Sequence, residues 1–93
     1  MGKITMTPAV LDWVAERFKV LGDPTRLRLL QALREGEATV TDLVEATGFG
    51  QANVSKHLQQ LHAHGYVARR KEGLFTWYRL SDREIVQLCD LMC

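Results

Sequence analysis

The strongest constraint on the fold is a three-residue turn, Gly48-Phe49-Gly50, between two segments of helical periodicity. The segment before the turn opens at Thr39-Val40-Thr41-Asp42, which has the pattern of a capping box. The segment after it is predicted to be helical from about Gln51 to Ala63, with Gly65 as its stop. Two short helices joined by so tight a glycine turn predict a helix-turn-helix.

Two further helices are predicted before this motif. Thr7-Pro8 and Asp23-Pro24 each join a residue that caps free amides to a proline, which the first helical position tolerates. We expect the first helix to end at Gly22 and the second at Glu35-Gly36-Glu37. Apolar residues recur at helical spacing in both segments: Val10, Val14, Phe18 and Leu21, then Leu27, Leu30 and Leu33.

The period of the pattern changes after Gly65. The segments Tyr66–Arg70 and Phe75–Leu80 are rich in aromatic and β-branched residues and flank Lys71-Glu72-Gly73-Leu74, which is typical of a β-hairpin. Ser81-Asp82-Arg83-Glu84 resembles a second capping box and opens a fifth helix. The predicted fold class is α+β, mainly α with a two-stranded β-hairpin, in the order ααααββα. At 93 residues we expect a single domain, residues 1–93.

Composition argues against several classes of protein. No apolar run reaches membrane-spanning length, and the N-terminus lacks the basic and apolar regions of a signal peptide. With only two cysteines, this favours a cytoplasmic protein with no membrane partner. We expect no enzyme, because there is no Ser/His/Asp set, phosphate loop or plausible pair of carboxylates. The last helical pattern still runs at Cys93, as in a piece of a longer chain.

Basic charge is concentrated in one stretch of the sequence. The formal net charge of the chain is only +1, and residues 1–50 carry a net −1. Residues 51–79 carry five basic residues against Glu72 alone, a net +4. Such a segment fits an electrostatic footprint for phosphates, and it equally fits a solvated face.

The predicted helix after the turn has two different faces. At about 100° per residue, Val54, Leu58 and Leu61 fall on one side, which predicts that they face the core. The outer face carries amides, a hydroxyl, an imidazole and an ammonium, and no carboxylate. These groups suit base edges and phosphates, although the lack of acids also occurs by chance on surface helices.

The basic hairpin lies next in sequence, where its cations would flank the helix along a nucleic-acid backbone. The candidate DNA-contacting residues are therefore Gln51, Ala52, Asn53, Ser55, Lys56, His57 and Gln59 on the helix, and Arg69, Arg70, Lys71 and Arg79 on the hairpin.

Three segments, taken in order, resemble the ArsR/SmtB family of winged-helix repressors. Phe18–Leu30 is similar to the start of that family's fold, Gln51–Leu58 to its recognition helix, and Val67–Arg70 with Trp77–Leu80 to its wing. The resemblance implies a winged helix-turn-helix, a homodimer built on the first and last helices, repression of a promoter on double-stranded DNA, and often a metal or small-molecule inducer. Two positions depart from the family: Gly50 stands where Ser usually caps the helix, and Leu74 where Arg is common at the wing tip.

The family's familiar metal sites are missing from these residues. Its Cys-x-Cys pair on the third helix is replaced by Val40-Thr41-Asp42-Leu43, and the last helix has no histidine. Cys89 and Cys93 remain, spaced i, i+4 on the last helix, so that they share a face. They could bind a soft metal or metalloid, form a disulfide between subunits, or serve as a small interface residue and a terminal bystander. A zinc site built from the three histidines is less favoured, because His62 and His64 point in different directions on a helix.

Two functions from different classes follow. The first is a DNA-binding regulator, a repressor released by an inducer acting through the cysteine-bearing last helix or by another signal. The second is a winged-helix module without DNA binding, whose basic hairpin docks an acidic protein partner.

Overall fold

The computed structural model describes residues 6–81 and 83–92, apart from the side chains at positions 83, 85, 89 and 92. In chain order the elements are α1 (Pro8–Leu21), α2 (Pro24–Leu33), α3 (Val40–Thr47), α4 (Gln51–Ala63), β1 (Val67–Glu72), β2 (Phe75–Leu80) and α5 (Arg83–Met92). This order confirms the predicted fold class. None of the helices in the described ranges has the length and apolar character needed to cross a bilayer.

The first three helices begin at the side chains that the sequence indicates. The Thr7 hydroxyl accepts from the Val10 amide at 3.2 Å. The Asp23 carboxylate accepts from the amides of Thr25 and Arg26 at 2.8 and 3.2 Å. Satisfying these free amides is what places each helix start.

A complete capping box opens α3. The Asp42 amide donates to the Thr39 hydroxyl at 3.1 Å, and the Thr39 amide donates back to the Asp42 carboxylate at 3.0 Å. Gly48 then ends the helix in the left-handed region, with φ 76°. Glycine adopts this conformation without a Cβ penalty, and so the chain can enter α4 three residues later, at Gln51. The helix-turn-helix prediction is confirmed.

The hairpin is longer than the sequence suggests. β1 and β2 pair antiparallel from Val67–Leu80 to Glu72–Phe75, which leaves only Gly73 and Leu74 in the turn. Gly73 has φ 61°, while no residue other than glycine has a positive φ in the described ranges. A positive φ at the first central residue alone is that of a type II′ turn, whose twist matches the flanking strands. The expected four-residue connection therefore shrinks to two.

A short bridge ties the hairpin to the helices. Ala38, in the link between α2 and α3, pairs with Tyr78 of β2. The Ala38 amide donates to the Tyr78 carbonyl at 3.0 Å, and the Tyr78 amide donates back at 2.8 Å. Because this pairing lies beside the helix-turn-helix, the base of the hairpin is held against the body of the domain.

The capping box expected at the start of α5 stays a prediction. The Ser81 hydroxyl donates to the Gly65 carbonyl. Asp82, the next residue of the proposed capping box, lies outside the described residues.

The core is formed mainly by α2, α3, α4 and the base of the hairpin. Its largest fully buried side chains are Leu29, Leu30, Leu43, Val54, Leu58, Leu61 and Tyr66. Val54, Leu58 and Leu61 are each 0% exposed, which confirms the predicted inner face of α4.

α1 contributes little to this core. Of its side chains, all of which the structure describes, Val20 alone is buried. Four large apolar side chains on the helix are exposed, and we call them the α1 apolar surface: Val10, Leu11, Trp13 and Phe18.

Candidate DNA-binding surface

The outer face of α4 is open to solvent, as the helical periodicity predicts. Gln51, Ala52, Asn53, Lys56 and Gln59 are all exposed, and Ser55 is half-buried. The helix carries no acidic residue from end to end. The residues predicted from sequence for one surface are therefore brought together, with hydrogen-bonding groups and one positive charge directed away from the core.

The first turn of α4 adds a second positive feature. Gly50 is its N-cap with φ −67° and ψ 152°, and no described side chain accepts a hydrogen bond from the first-turn amides. Those amides and the positive end of the helix dipole favour an anion. Because Gly50 has no side chain to accept from them, the first-turn amides of α4 remain available to an anion.

His57 has a different environment from the other candidates on α4. It is half-buried, and its Nδ1 accepts from Nε of Arg26 on α2 at 3.2 Å. A second guanidinium nitrogen of Arg26 donates to the Gln60 side-chain carbonyl. The role of His57 in DNA contact stays a prediction, while the structure shows a contact between helices.

Sequence reasoning missed Arg26. Helical periodicity places it at the start of α2 but says nothing of the residues 31 and 34 positions later that it reaches. No local pattern in the sequence distinguishes Arg26 from Arg28, the other cation of α2, which is exposed.

The strand pleat divides the hairpin cations between two faces. Arg69 pairs with Tyr78 and Lys71 with Thr76, whereas Arg70 pairs with Trp77. Since paired residues share a face and neighbours alternate, Arg69 and Lys71 lie on one face and Arg70 on the other. Arg79, opposite Ala68, lies on the face of Arg70. All four cations are exposed, but they do not form one continuous row.

Arg70 is occupied by two carboxylates. Its Nε and Nη2 lie 2.9 and 3.0 Å from the two oxygens of Glu37, and Nη1 contacts Glu72. The hydrogen bonds from Arg70 hold the pKa of the Glu37 carboxyl below its usual range. With its charge balanced in this way, Arg70 is less available to a phosphate than Arg69 or Lys71.

The described residues hold no group of three or more His, Cys, Asp or Glu placed to bind a metal ion. Cys93 lies outside the described residues. Cys89 lies in α5, and its side chain is among those not described. The proposed thiol site is therefore untested.

Taken together, the tight turn between α3 and α4, the outward polar face of α4 and the paired strands beside it define a winged helix-turn-helix. The family model described as "Bacterial regulatory protein, arsR family" matches residues 23–69. The chain belongs to this family. Since the family is one of regulatory proteins, family membership confirms the prediction of a regulator rather than an enzyme.

Known proteins resemble the chain over most of its length. A probable mercury resistance operon repressor of Streptomyces lividans is 42% identical over 77 residues, which are 83% of this chain and 62% of that protein. The chain thus spans less than two thirds of that relative.

Two solved structures have closely similar folds. One is the homodimeric winged helix-turn-helix DNA-binding domain of a possible ArsR-family regulator from Mycobacterium bovis. It is 34% identical, with a TM-score of 0.84, over 99% of this chain and 85% of that one. The other is the AntR antimony-specific transcriptional repressor, 35% identical with a TM-score of 0.85, over 99% of this chain and 84% of that one.

Proposed function

We propose that this chain binds duplex DNA in a sequence-specific manner and represses transcription. The observation that carries the proposal is the exposed, carboxylate-free face of α4, which begins at an uncapped helix N-terminus and lies beside exposed hairpin cations. A solvated helix face usually mixes acids with bases, whereas a DNA-facing one is depleted of negative charge. A DNA partner also implies action in the cytoplasm.

In this proposal α4 lies in the major groove. Gln51 and Asn53, on the first exposed turn, reach base edges, because side-chain amides pair with the N6 and N7 groups of adenine. Lys56 binds guanine or phosphate, and the first-turn amides of α4 bind phosphate. The hairpin flanks the duplex through Arg69, Lys71 and Arg79, and the apolar tip at Leu74 adds no charge.

We further propose a homodimer that forms through the α1 apolar surface. Trp13 and Phe18 are 60% and 63% exposed, which is unusual for side chains of their size. They border a groove of about 260 Å³ that also includes Leu21 of α1 and Leu88 of α5. The homodimeric state of the Mycobacterium bovis domain supports this arrangement. A two-fold dimer would place two copies of α4 on successive half-sites of an operator.

For the inducer, we propose a thiophilic metal or metalloid bound by Cys89 and Cys93. Two relatives carry names that refer to mercury resistance and to antimony. Thiolates are the ligands that such soft ions prefer, and i, i+4 cysteines on a helix share one face. Release of the operator by mercuric ion or antimonite, lost in Cys89→Ser/Cys93→Ser, would support this site. The same response in the double variant would refute it.

The DNA proposal is tested by selecting duplexes from a random pool and titrating the selected sequence by fluorescence anisotropy at several salt concentrations. We expect tight binding that weakens steeply with salt, and a preference over random duplex. Lys56→Ala should weaken binding to every sequence, whereas Asn53→Ala should relax the preference. No salt-dependent binding to any duplex would refute the proposal. Capture of an acidic protein instead would support the protein-docking alternative.

A further inference from the structure

The side chain of Arg26 joins three helices. Its Nη1 donates to the carbonyl of Val20, in the last turn of α1, at 3.0 Å. Its Nε donates to Nδ1 of His57 at 3.2 Å, and Nη2 donates to the side-chain carbonyl of Gln60, both on α4. The backbone amide of Arg26 is itself held by the Asp23 carboxylate at the start of α2. One half-buried guanidinium therefore links the end of α1, the start of α2 and the middle of α4.

This arrangement fixes an orientation as well as a distance. A guanidinium is planar and directs its N–H groups at set angles, so three simultaneous contacts define how its partners lie around it. Two of those partners, His57 and Gln60, are sequence neighbours of the exposed residues Lys56 and Gln59. A rotation of α4 about its axis would break the Arg26 contacts and carry the outer face away from its direction.

We propose that Arg26 is a positioning residue for sequence recognition, which sets the orientation of α4 against the end of α1. The inference rests on the proposed function, that α4 reads DNA. Pairing with a base edge requires bidentate geometry, whereas attraction to phosphates acts over several ångströms and tolerates misorientation. Loss of the Arg26 contacts should therefore reduce preference for the operator far more than it reduces binding to random duplex.

The test compares parent and Arg26→Gln on a duplex selected by the parent and on a random duplex of equal length. We expect operator affinity to fall by about 10- to 100-fold, the scale of a lost charged hydrogen bond, and random-duplex affinity by less than about 3-fold. Arg28→Gln is the matched control. It removes the same charge from α2, and none of the described contacts of Arg28 is a hydrogen bond to α4; its guanidinium lies 5.9 Å from the centre of the Phe49 ring. This control should shift both affinities by the same small factor.

A second variant separates positioning from folding and from charge. Gln60→Met keeps the length of the side chain and removes the acceptor, while Arg26 keeps its bonds to Val20 and His57. It should lower the operator preference in the same direction, and adding it to Arg26→Gln should cost less than the sum of the two changes. If circular dichroism shows that Arg26→Gln does not fold, the operator preference of Gln60→Met alone tests the proposal. Arg26→Lys should not restore the preference, because an ammonium lacks the planar fork.

The outcomes separate the two claims. A parent protein that binds no duplex refutes the proposed function and this inference with it. A parent that prefers its operator, with folded variants that keep the same preference, refutes the role of Arg26 alone. Equal losses of affinity for operator and random duplex in Arg26→Gln, or an unchanged operator preference in Arg26→Lys, would show that only the charge matters. Either result would also overturn the positioning role of Arg26.

Discussion

Two neighbouring cations of the hairpin, Arg69 and Arg70, should contribute differently to DNA binding. Arg69 and Arg70 are adjacent in sequence and both exposed, but only Arg70 is held by carboxylates, from Glu37 and Glu72. The prediction is that Arg69→Gln weakens DNA binding and Arg70→Gln scarcely does. Each variant is the other's control, because both remove one guanidinium from the same strand.

The magnitude follows from counterion release. Each phosphate contact contributes about 0.9 to the slope of log affinity against log salt, which at about 0.1 M salt corresponds to roughly 8-fold in affinity. Arg69→Gln should therefore lower the slope by about 0.9 per bound subunit. For Arg70→Gln we expect a change of less than about 0.3, since its charge already balances two carboxylates. Glu37→Gln should have the opposite effect, a steeper slope and tighter binding, because it removes one negative charge and leaves Arg70 held by Glu72 alone.

The assay is anisotropy of a labelled duplex titrated from about 50 to 300 mM salt, a range over which phosphate contacts dominate the change. Melting curves should be nearly unchanged for all three variants, since exposed ion pairs contribute little to the free energy of folding. Equal loss of slope in Arg69→Gln and Arg70→Gln would refute the reasoning. It would mean that Arg70 leaves Glu37 when DNA binds.

Three further predictions concern stability and assembly. Asp23→Ala should lower the free energy of unfolding by about 1 kcal/mol in urea titrations through loss of the cap. The Arg26 amide helps to hold the pKa of the Asp23 carboxyl below its usual value. The stability contributed by the charged cap is therefore fully present above that usual value and is lost as pH falls through the lowered pKa. A difference in unfolding free energy between parent and variant that persists in strong acid would contradict this reasoning. Leu58→Ala, at a site with 0% exposure, should cost about 2–5 kcal/mol by the same assay, and a cost below 1 kcal/mol would show that the core closes over the gap. Phe18→Glu should shift the protein to monomer in sedimentation, whereas an unchanged dimer would exclude Phe18 from the interface.

Local patterns in the sequence predict most of the fold. Thr7, Asp23 and Thr39 lie where a free helix amide needs an acceptor, and each accepts at least one such hydrogen bond in the structure. The burial of Val54 and Leu58 follows from helical spacing alone. These features depend on residues within one or two turns of each other, so a one-dimensional pattern contains the necessary information.

The missed features are long-range contacts between single side chains. The Glu37–Arg70 pair spans 33 positions, and the Ala38–Tyr78 bridge joins residues 40 apart without a repeating pattern on either side. The sequence predicts a hairpin connection two residues longer than the observed one, because the charged residues Lys71 and Glu72 are typical of a loop. In the structure they continue the strand pairing to its last pair, Glu72 with Phe75.

The sparse burial of α1 has a thermodynamic consequence. A 14-residue helix is marginal in water by itself, and this one places a single side chain, Val20, in the core of its own subunit. In the proposed dimer the remaining stabilisation of α1 comes from a second molecule, and so it depends on protein concentration. For a fully linked dimer, each tenfold increase in concentration adds about 1.4 kcal/mol to that stabilisation. The melting temperature of this chain should then rise with its own abundance, which makes cellular copy number one of the determinants of how completely the molecule is folded.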